Sequence, residues 1–260
     1  MPTPSAPLGS LVHPHQMEVQ EFATYALIVD ARGAAAFEDD HIPGAIPVPV
    51  GAGEPGESSP SGTTDSGPAL PAALAVHVQL LEPGDRVLVY CDRGGLDSLV
   101  WATPLRAAGF DVDVLGGGWI NYRRWVSAGL DLLPRLLTFR RLTSSSDGGL
   151  QQVALALSRQ GEQVLDLAAL MDQHPSTTLT GGAASQGALE TALLDVLRRF
   201  DAQRPVWTLV AVEASDRLTL PPALRDALSR SEEIALTLSS QDTDAVAAVV
   251  KTLLESTGSV

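Results

Sequence analysis

The stretch that decides the fold is Val87-Leu88-Val89-Tyr90-Cys91-Asp92-Arg93-Gly94-Gly95-Leu96-Asp97-Ser98. An uninterrupted apolar run with β-branched residues predicts a buried strand that ends at Tyr90. The two glycines then predict a tight turn, and a helix is expected from about Leu96 to Ala108. A buried strand that turns directly into a helix is typical of a parallel sheet with crossover helices.

Cys91 is the only cysteine of the chain and stands at the start of this turn. A glycine-containing strand-to-helix turn can direct several backbone N–H groups toward one point, where they stabilise an anion such as a thiolate. We therefore predict that Cys91 is a catalytic nucleophile. The predicted substrate-binding groups are the side chain of Arg93 and the backbone N–H groups of Gly94, Gly95, Leu96 and Ser98. The alternative is a small buried apolar residue at a strand end, a common fate of free cysteine.

Short apolar runs alternate with helical stretches on both sides of this turn. Strands are predicted at residues 26–30, 45–50, 87–90 and 112–115, and again at 136–142, 163–167, 206–212 and 234–238. Helices are expected between them, among them one over residues 73–81 and one over residues 118–128. This alternation predicts an α/β protein with parallel sheets in two domains that divide near residues 129–136. Pro47 and Pro49 make the second strand an edge strand or an irregular one.

Two segments have a composition that does not favour a packed core. Residues 1–16 are rich in Pro and Ser and are predicted to form a flexible tail, and the Gly/Ser/Pro/Thr-rich residues 51–71 are predicted to form a disordered loop.

Composition limits the classes of function. The 260 residues include 17 Lys and Arg against 31 Asp and Glu, for a formal net charge of −14, and 45% are hydrophobic. No apolar run approaches the roughly 18 residues of a membrane span, and the N-terminal residues lack the pattern of a secretory signal. A single cysteine excludes an internal disulfide framework and a multi-thiolate metal site. We expect a cytoplasmic protein without a membrane partner, a bound metal or a cofactor.

Basic residues cluster in one segment, from Trp119 to Arg141, where five arginines face one aspartate. Because nucleic-acid affinity comes mostly from neutralised phosphates, this strip is the only candidate RNA footprint. The candidate RNA contacts are Arg123, Arg124, Arg140 and Arg141. The alternative is a solvated helix face, which the negative net charge favours. The aromatic residues Trp119, Tyr122 and Trp125 recur at helical spacing and are expected to pack in the core.

Several motifs resemble known families. The first resemblance is to a rhodanese-like domain. It is carried by Asp30-Ala31-Arg32, Phe37, residues 41–45 and Tyr90-Cys91 with its glycine loop. A narrower similarity, to tRNA 2-selenouridine synthase, is carried by residues 91–96, 116–119, 122–125, 161–167, 205–207 and 220–224. In that family a rhodanese-like domain, here residues 17–130, precedes a P-loop-type α/β domain, here residues 131–260. The Asp30–Arg32 piece and the turn at His41 would then support the fold rather than catalysis.

The resemblance also implies a chemistry. The cysteine of the rhodanese-like domain, here Cys91, is essential in that family, which replaces sulfur by selenium at the wobble 2-thiouridine of tRNA. Its substrates are selenophosphate and a prenyl diphosphate. The implied partners are therefore a persulfide donor or a small sulfur or selenium anion. A tRNA is a further candidate that the net charge of this chain disfavours.

The chain departs from the family's pattern at two loops. The cysteine loop carries Asp97 where the family has a second arginine, which weakens the binding of an anion. Residues 144–151 occupy the P-loop positions, yet only Gly149 is retained, Leu150 replaces the phosphate-binding lysine and Gln151 replaces the magnesium-binding hydroxyl. The P-loop is thus predicted to be degenerate. Two hypotheses follow: sulfur or selenium transfer through a Cys91 persulfide, or a binding or regulatory module that keeps the fold without the chemistry.

Overall fold

The structure is a computed structural model that describes residues 11–12, 21–50, 70, 72–144, 147–172, 185–209, 219–236 and 243–257. The chain divides into two compact units, Met1–Val126 and Ser127–Val260. Each unit contains one parallel sheet with helices in the connections. The predicted α/β class with two parallel-sheet domains is therefore confirmed.

The first unit is built on a five-stranded parallel sheet in the order β1-β5-β4-β2-β3. Its strands are β1 (Leu11–Val12), β2 (Leu27–Asp30), β3 (Ala45–Pro47), β4 (Arg86–Tyr90) and β5 (Asp111–Leu115). Its helices are α1 (Ala34–Asp39), α2 (Ala72–Ala75), α3 (Leu96–Ala107) and the first part of α4 (Gly118–Leu136). β4 lies inside the sheet and its residues 87–90 are fully buried, which explains its uninterrupted apolar sequence.

The second unit contains a four-stranded parallel sheet in the order β7-β8-β6-β9. Its strands are β6 (Phe139–Ser144), β7 (Gln163–Asp166), β8 (Val206–Leu209) and β9 (Glu232–Leu236). Its helices are α5 (Asp147–Arg159), α6 (Leu167–Asp172), α7 (Gln186–Leu197), α8 (Pro222–Arg230) and α9 (Thr243–Thr257). One face of this sheet packs against α5 and α9 around Leu142, Val153, Leu157 and Trp207.

Two sequence predictions are corrected. The predicted tail is not wholly unpaired, because Leu11 and Val12 extend the first sheet beside Val114 and Leu115. The helix expected to end at Ala128 continues to Leu136, so the strand expected from residue 136 begins at 139. Gly129 lies inside this helix rather than ending it, since the Leu194 side chain of α7 occupies the space of a Cβ there.

Other segment predictions have mixed outcomes. The proline-containing strand is an edge strand, as predicted, because β3 pairs only with β2 among the described strands. The helix expected over residues 73–81 is limited to α2. The predicted disordered loop lies outside the described residues except for Leu70.

Candidate functional site

Cys91 lies at the carboxyl end of β4, directly before the start of α3. It is 3% exposed, and the backbone N–H of Gly95 donates a hydrogen bond to its Sγ across 3.4 Å. α3 begins at the next residue, Leu96. An N–H donor and the amino end of a helix both favour negative charge on the sulfur, so the position suits a thiolate nucleophile.

A second glycine loop, residues 116–118 after β5, leads into residues that donate hydrogen bonds to the backbone of the cysteine loop. The N–H of Trp119 donates to the carbonyl oxygen of Cys91 at 2.8 Å, and the N–H of Ile120 donates to that of Asp92 at 3.2 Å. These bonds connect the first turn of α4 to the backbone of Cys91 and Asp92.

Gly94 and Gly118 make this contact between the two loops sterically feasible. Both adopt positive φ, +64° and +56°, where side chains are strained. A Cβ on Gly94 would also collide with the carbonyl oxygen of Leu115, and a Cβ on Gly118 would collide with that of Cys91. The conformation of the cysteine loop therefore depends on one glycine from each loop.

The other predicted site residues lie in the same turn but differ in environment. The Arg93 side chain is exposed and makes no hydrogen bond or ion pair with the described part of the chain, so it is available to an anion. Asp97 is exposed in the first turn of α3. Ser98 is fully buried, and its Oγ lacks a hydrogen-bond partner among the described residues. The side chain of Leu96 is 82% exposed.

A buried polar network lies at the carboxyl end of β2, the strand beside β4. Arg32 Nε donates to Asp30 Oδ1 at 3.0 Å and its Nη2 donates to Oδ2 at 2.7 Å, and Nη2 also donates to the Asp40 carbonyl at 2.6 Å. The Tyr90 hydroxyl donates to Asp30 Oδ2 at 2.6 Å and accepts the N–H of Ile42 at 3.2 Å. The expectation that Asp30 and Arg32 support the fold is confirmed.

This network sets the ionisation of its members. Burial first, and then the negative charge of Asp30, raises the pKa of Tyr90, which stays a neutral hydrogen-bond donor. For Arg32 burial lowers the pKa, but the hydrogen bonds and charge of Asp30 outweigh it and the pKa is raised. Tyr90, the residue directly before Cys91, is thus held to the neighbouring strand by the ion-paired carboxylate of Asp30.

Aromatic side chains connect the network to α4. The Trp119 ring lies over the Arg32 guanidinium at 3.9 Å and stacks on Tyr122, whose ring contacts Phe22 and Trp125. Tyr122 is 2% exposed. The predicted core packing is confirmed for Tyr122, whereas Trp119 and Trp125 are half-buried. The cation–π contact of Trp119 adds to the stability of the ion pair.

The predicted basic strip is largely paired with acidic residues from distant parts of the sequence. Arg123 bonds Asp40 at 3.1 Å in the first unit. In the second unit Arg140 pairs with Glu232 at 3.3 Å and Arg141 pairs with Glu233 at 2.9 Å. Arg124 is exposed and bonds only the Asn121 side chain in the described chain. RNA contact through these residues stays a prediction.

Comparison with known proteins identifies the fold of the first unit. Residues 16–124 match the family model of the rhodanese-like domain. This part of the chain is a rhodanese-like domain. The predicted rhodanese resemblance is thus confirmed, whereas similarity to tRNA 2-selenouridine synthase stays a prediction. A search of curated proteins finds no match to the chain.

Two solved structures are similar to the chain at low scores. A Bacillus halodurans protein is 21% identical, with a TM-score of 0.30, and the match covers 45% of this chain and 72% of that protein. A thiosulfate sulfurtransferase from Pseudomonas aeruginosa is 17% identical, with a TM-score of 0.31, and the match covers 92% of this chain and 44% of that enzyme. The rhodanese-like domain is therefore assigned from the family model and its own geometry.

The second unit keeps a parallel sheet but not a phosphate-binding lysine at the expected place. Leu150, which occupies that sequence position, is 7% exposed and packs in the core against α9. Within the described segments, the structure has no cluster of three metal-binding side chains and no helix that could cross a membrane.

Sequence reasoning missed three groups that shape the site of the rhodanese-like domain: Gly118, the ring of Trp119 and the hydroxyl of Tyr90. A signal for the first was present. β4 and β5 are both followed by glycine loops, and the carboxyl ends of neighbouring parallel strands meet at one edge of a sheet.

Proposed function

We propose that the chain is a sulfurtransferase that carries sulfur as a persulfide on Cys91. The supporting observation is the Cys91 sulfur itself, held at the end of a buried strand by the Gly95 N–H in a rhodanese-like domain. At this position the Cys91 sulfur accepts the Gly95 N–H, and Arg93, two residues along the chain, is an exposed cation. Together they offer what transfer of an anionic sulfur requires.

The reaction divides into two displacements. The Cys91 thiolate attacks the outer sulfur of a donor persulfide, the donor S–S bond breaks, and the donor leaves as a thiolate. Cys91 then holds a persulfide, whose negative outer sulfur can accept hydrogen bonds from the backbone of the cysteine loop. An acceptor nucleophile attacks that outer sulfur, the new S–S bond breaks, and the Cys91 thiolate is restored without net oxidation.

In this proposal the chain shares descent with tRNA 2-selenouridine synthase, and selenium is an alternative to sulfur as the transferred atom. It does not include a prenyl diphosphate step, because Leu150 is a core residue where that chemistry needs a lysine. A tRNA acceptor is kept only as a candidate. The ion pairs of Arg140 and Arg141 with Glu232 and Glu233 reduce the charge available to phosphates.

A binding or regulatory module is the second candidate function. The observation that favours it is Asp97, exposed in the first turn of α3. A carboxylate there interacts with the positive end of the helix, which an anionic substrate would otherwise use. In this alternative Cys91 is a buried strand-end residue, and the two units retain their folds without transferring sulfur.

Sulfur transfer to cyanide separates the two candidates. With cysteamine persulfide as donor, the wild-type protein is expected to form thiocyanate faster than the uncatalysed mixture, and Cys91→Ala is expected to form it at the uncatalysed rate. Ser144→Ala, a substitution in the second unit, serves as the control for protein preparation. Equal thiocyanate formation by wild type and Cys91→Ala would support the module.

A further inference from the structure

An exposed apolar ridge borders the cysteine loop. Three of its members lie on α3: Leu96, Leu99 and Val100, which are 82%, 39% and 46% exposed. Their spacing of three and four residues places them on one side of the helix. The fourth is Ile120 of α4, which is 45% exposed. We call these four residues the docking ridge.

The residues of the docking ridge on both helices are connected to the cysteine loop through the backbone. Leu96 directly follows Gly95, whose N–H contacts the Cys91 sulfur. Ile120 is connected to the same loop because its backbone N–H donates a hydrogen bond to the Asp92 carbonyl. Apolar side chains grouped in this way around a functional group mark a surface that another molecule covers.

The net charge of the cysteine loop indicates which charge the covering molecule carries. Asp92 and Asp97 are exposed beside Cys91, with Arg93 as the one exposed cation between them. The loop therefore carries one more negative than positive charge. A small free dianion gains little there, whereas a surface with basic residues is attracted.

We propose that the sulfur donor is a protein that presents a cysteine persulfide on a segment with apolar and basic residues. This inference rests on the proposed sulfurtransferase function. The apolar residues of the donor cover the docking ridge and its basic residues face Asp92 and Asp97, which brings the outer sulfur to Cys91. The Cys91 thiolate takes that sulfur, the donor S–S bond breaks, and the donor cysteine leaves as a thiolate.

Peptide persulfides test the inference without knowledge of the natural donor. Two short peptides carry a central cysteine persulfide, one flanked by leucine and lysine and the other by serine and glutamate. Cysteamine persulfide is the small-molecule reference. The measured quantity is the rate at which each donor loads sulfur onto Cys91 of the full chain, followed by intact mass.

The leucine/lysine peptide is expected to load Cys91 about tenfold faster than the serine/glutamate peptide, or more. Leu99→Ser/Val100→Ser is expected to lower the rate with the leucine/lysine peptide relative to that with cysteamine persulfide. Asp97→Lys is expected to reverse the charge part of the preference. The matched control is Leu80→Ser, which removes a 95% exposed leucine from the segment before the amino end of β4 and should change neither rate.

The outcomes separate the two proposals. Equal loading by both peptides, or a preference that Leu99→Ser/Val100→Ser leaves intact, would overturn the docking inference while the sulfurtransferase function stands. Failure of every donor, including cysteamine persulfide, to load Cys91 would overturn the proposed function and this inference with it.

Discussion

Gly118→Ala is expected to slow sulfur transfer by about a hundredfold, since displacement of reacting groups by about 1 Å has effects of that order. A Cβ at this position cannot be accommodated by a side-chain movement. It would meet backbone atoms of the cysteine loop: the carbonyl oxygen of Cys91 and the amide nitrogens of Arg93 and Gly94. The backbone must shift, and the shift moves Cys91. The left-handed φ adds a strain of about 1–2 kcal/mol.

Gly84→Ala is the matched control for backbone strain. Gly84 also has a positive φ, +94°, but a Cβ there meets nothing within 4 Å. The control should lose about 1–2 kcal/mol of unfolding free energy, with sulfur transfer unchanged. The measurements are the thiocyanate-forming rate and denaturant unfolding of each variant. If Gly118→Ala transfers sulfur as fast as Gly84→Ala, the contact between the two glycine loops does not set the active geometry.

Asp30→Ala is expected to lower the free energy of unfolding of the first unit by about 3–5 kcal/mol. Both Asp30 and Arg32 are nearly inaccessible, with side-chain exposures of 0% and 3%. Removing the carboxylate leaves a buried guanidinium without its counter-charge and leaves the Tyr90 hydroxyl without its acceptor. The loss of a buried partner costs far more than the net contribution of the pair.

The double variant Asp30→Leu/Arg32→Met separates the cost of an unpaired charge from the cost of changing the core. It removes both charges and keeps similar volume, so it should be more stable than Asp30→Ala. Urea unfolding of both variants gives the comparison. In a Trp207→Phe background the remaining tryptophans all lie in the first unit, so their fluorescence reports on its unfolding. A double variant no more stable than Asp30→Ala would show that the buried charge on Arg32 is not the cause of the loss.

Local sequence patterns were sufficient to predict the frame of the first domain. The apolar run ending at Tyr90 could only satisfy its backbone and bury both faces inside a parallel sheet, which fixed the place of Cys91 at a strand end. Prolines at 47 and 49 similarly predicted an edge strand. The resemblance to rhodanese-like domains was sufficient to assign Asp30 and Arg32 to the fold, although it did not name their partners.

The remaining site features depend on contacts between residues far apart in sequence. Glycines 116–118 have the pattern of a turn before a helix, and in the structure they form the turn that leads into α4. Their second role, bonding the Cys91 and Asp92 backbone through the residues that follow, appears only when β4 and β5 are neighbours. The ion pairs of the basic strip could not be predicted for the same reason: Asp40, Glu232 and Glu233, which pair with three of its arginines, lie outside it in sequence.

The end of α4 could not be predicted, because a glycine in a helical region can either end the helix or lie inside it. At a helix end it relieves strain, whereas within a helix it permits a close approach by a neighbour. Gly129 has the second use, against Leu194, a residue 65 positions later in the chain. Pro134 also lies inside α4, although proline disfavours helix interiors.

The most direct test of the account is the intact mass of the full chain after incubation with cysteamine persulfide, with Cys91→Ala treated in parallel. We predict that the wild-type protein gains the mass of one sulfur atom, that cyanide removes it, and that Cys91→Ala gains nothing. A wild-type protein that stays at its original mass, or a Cys91→Ala variant that gains the same sulfur, would contradict the assignment of Cys91 as the sulfur carrier.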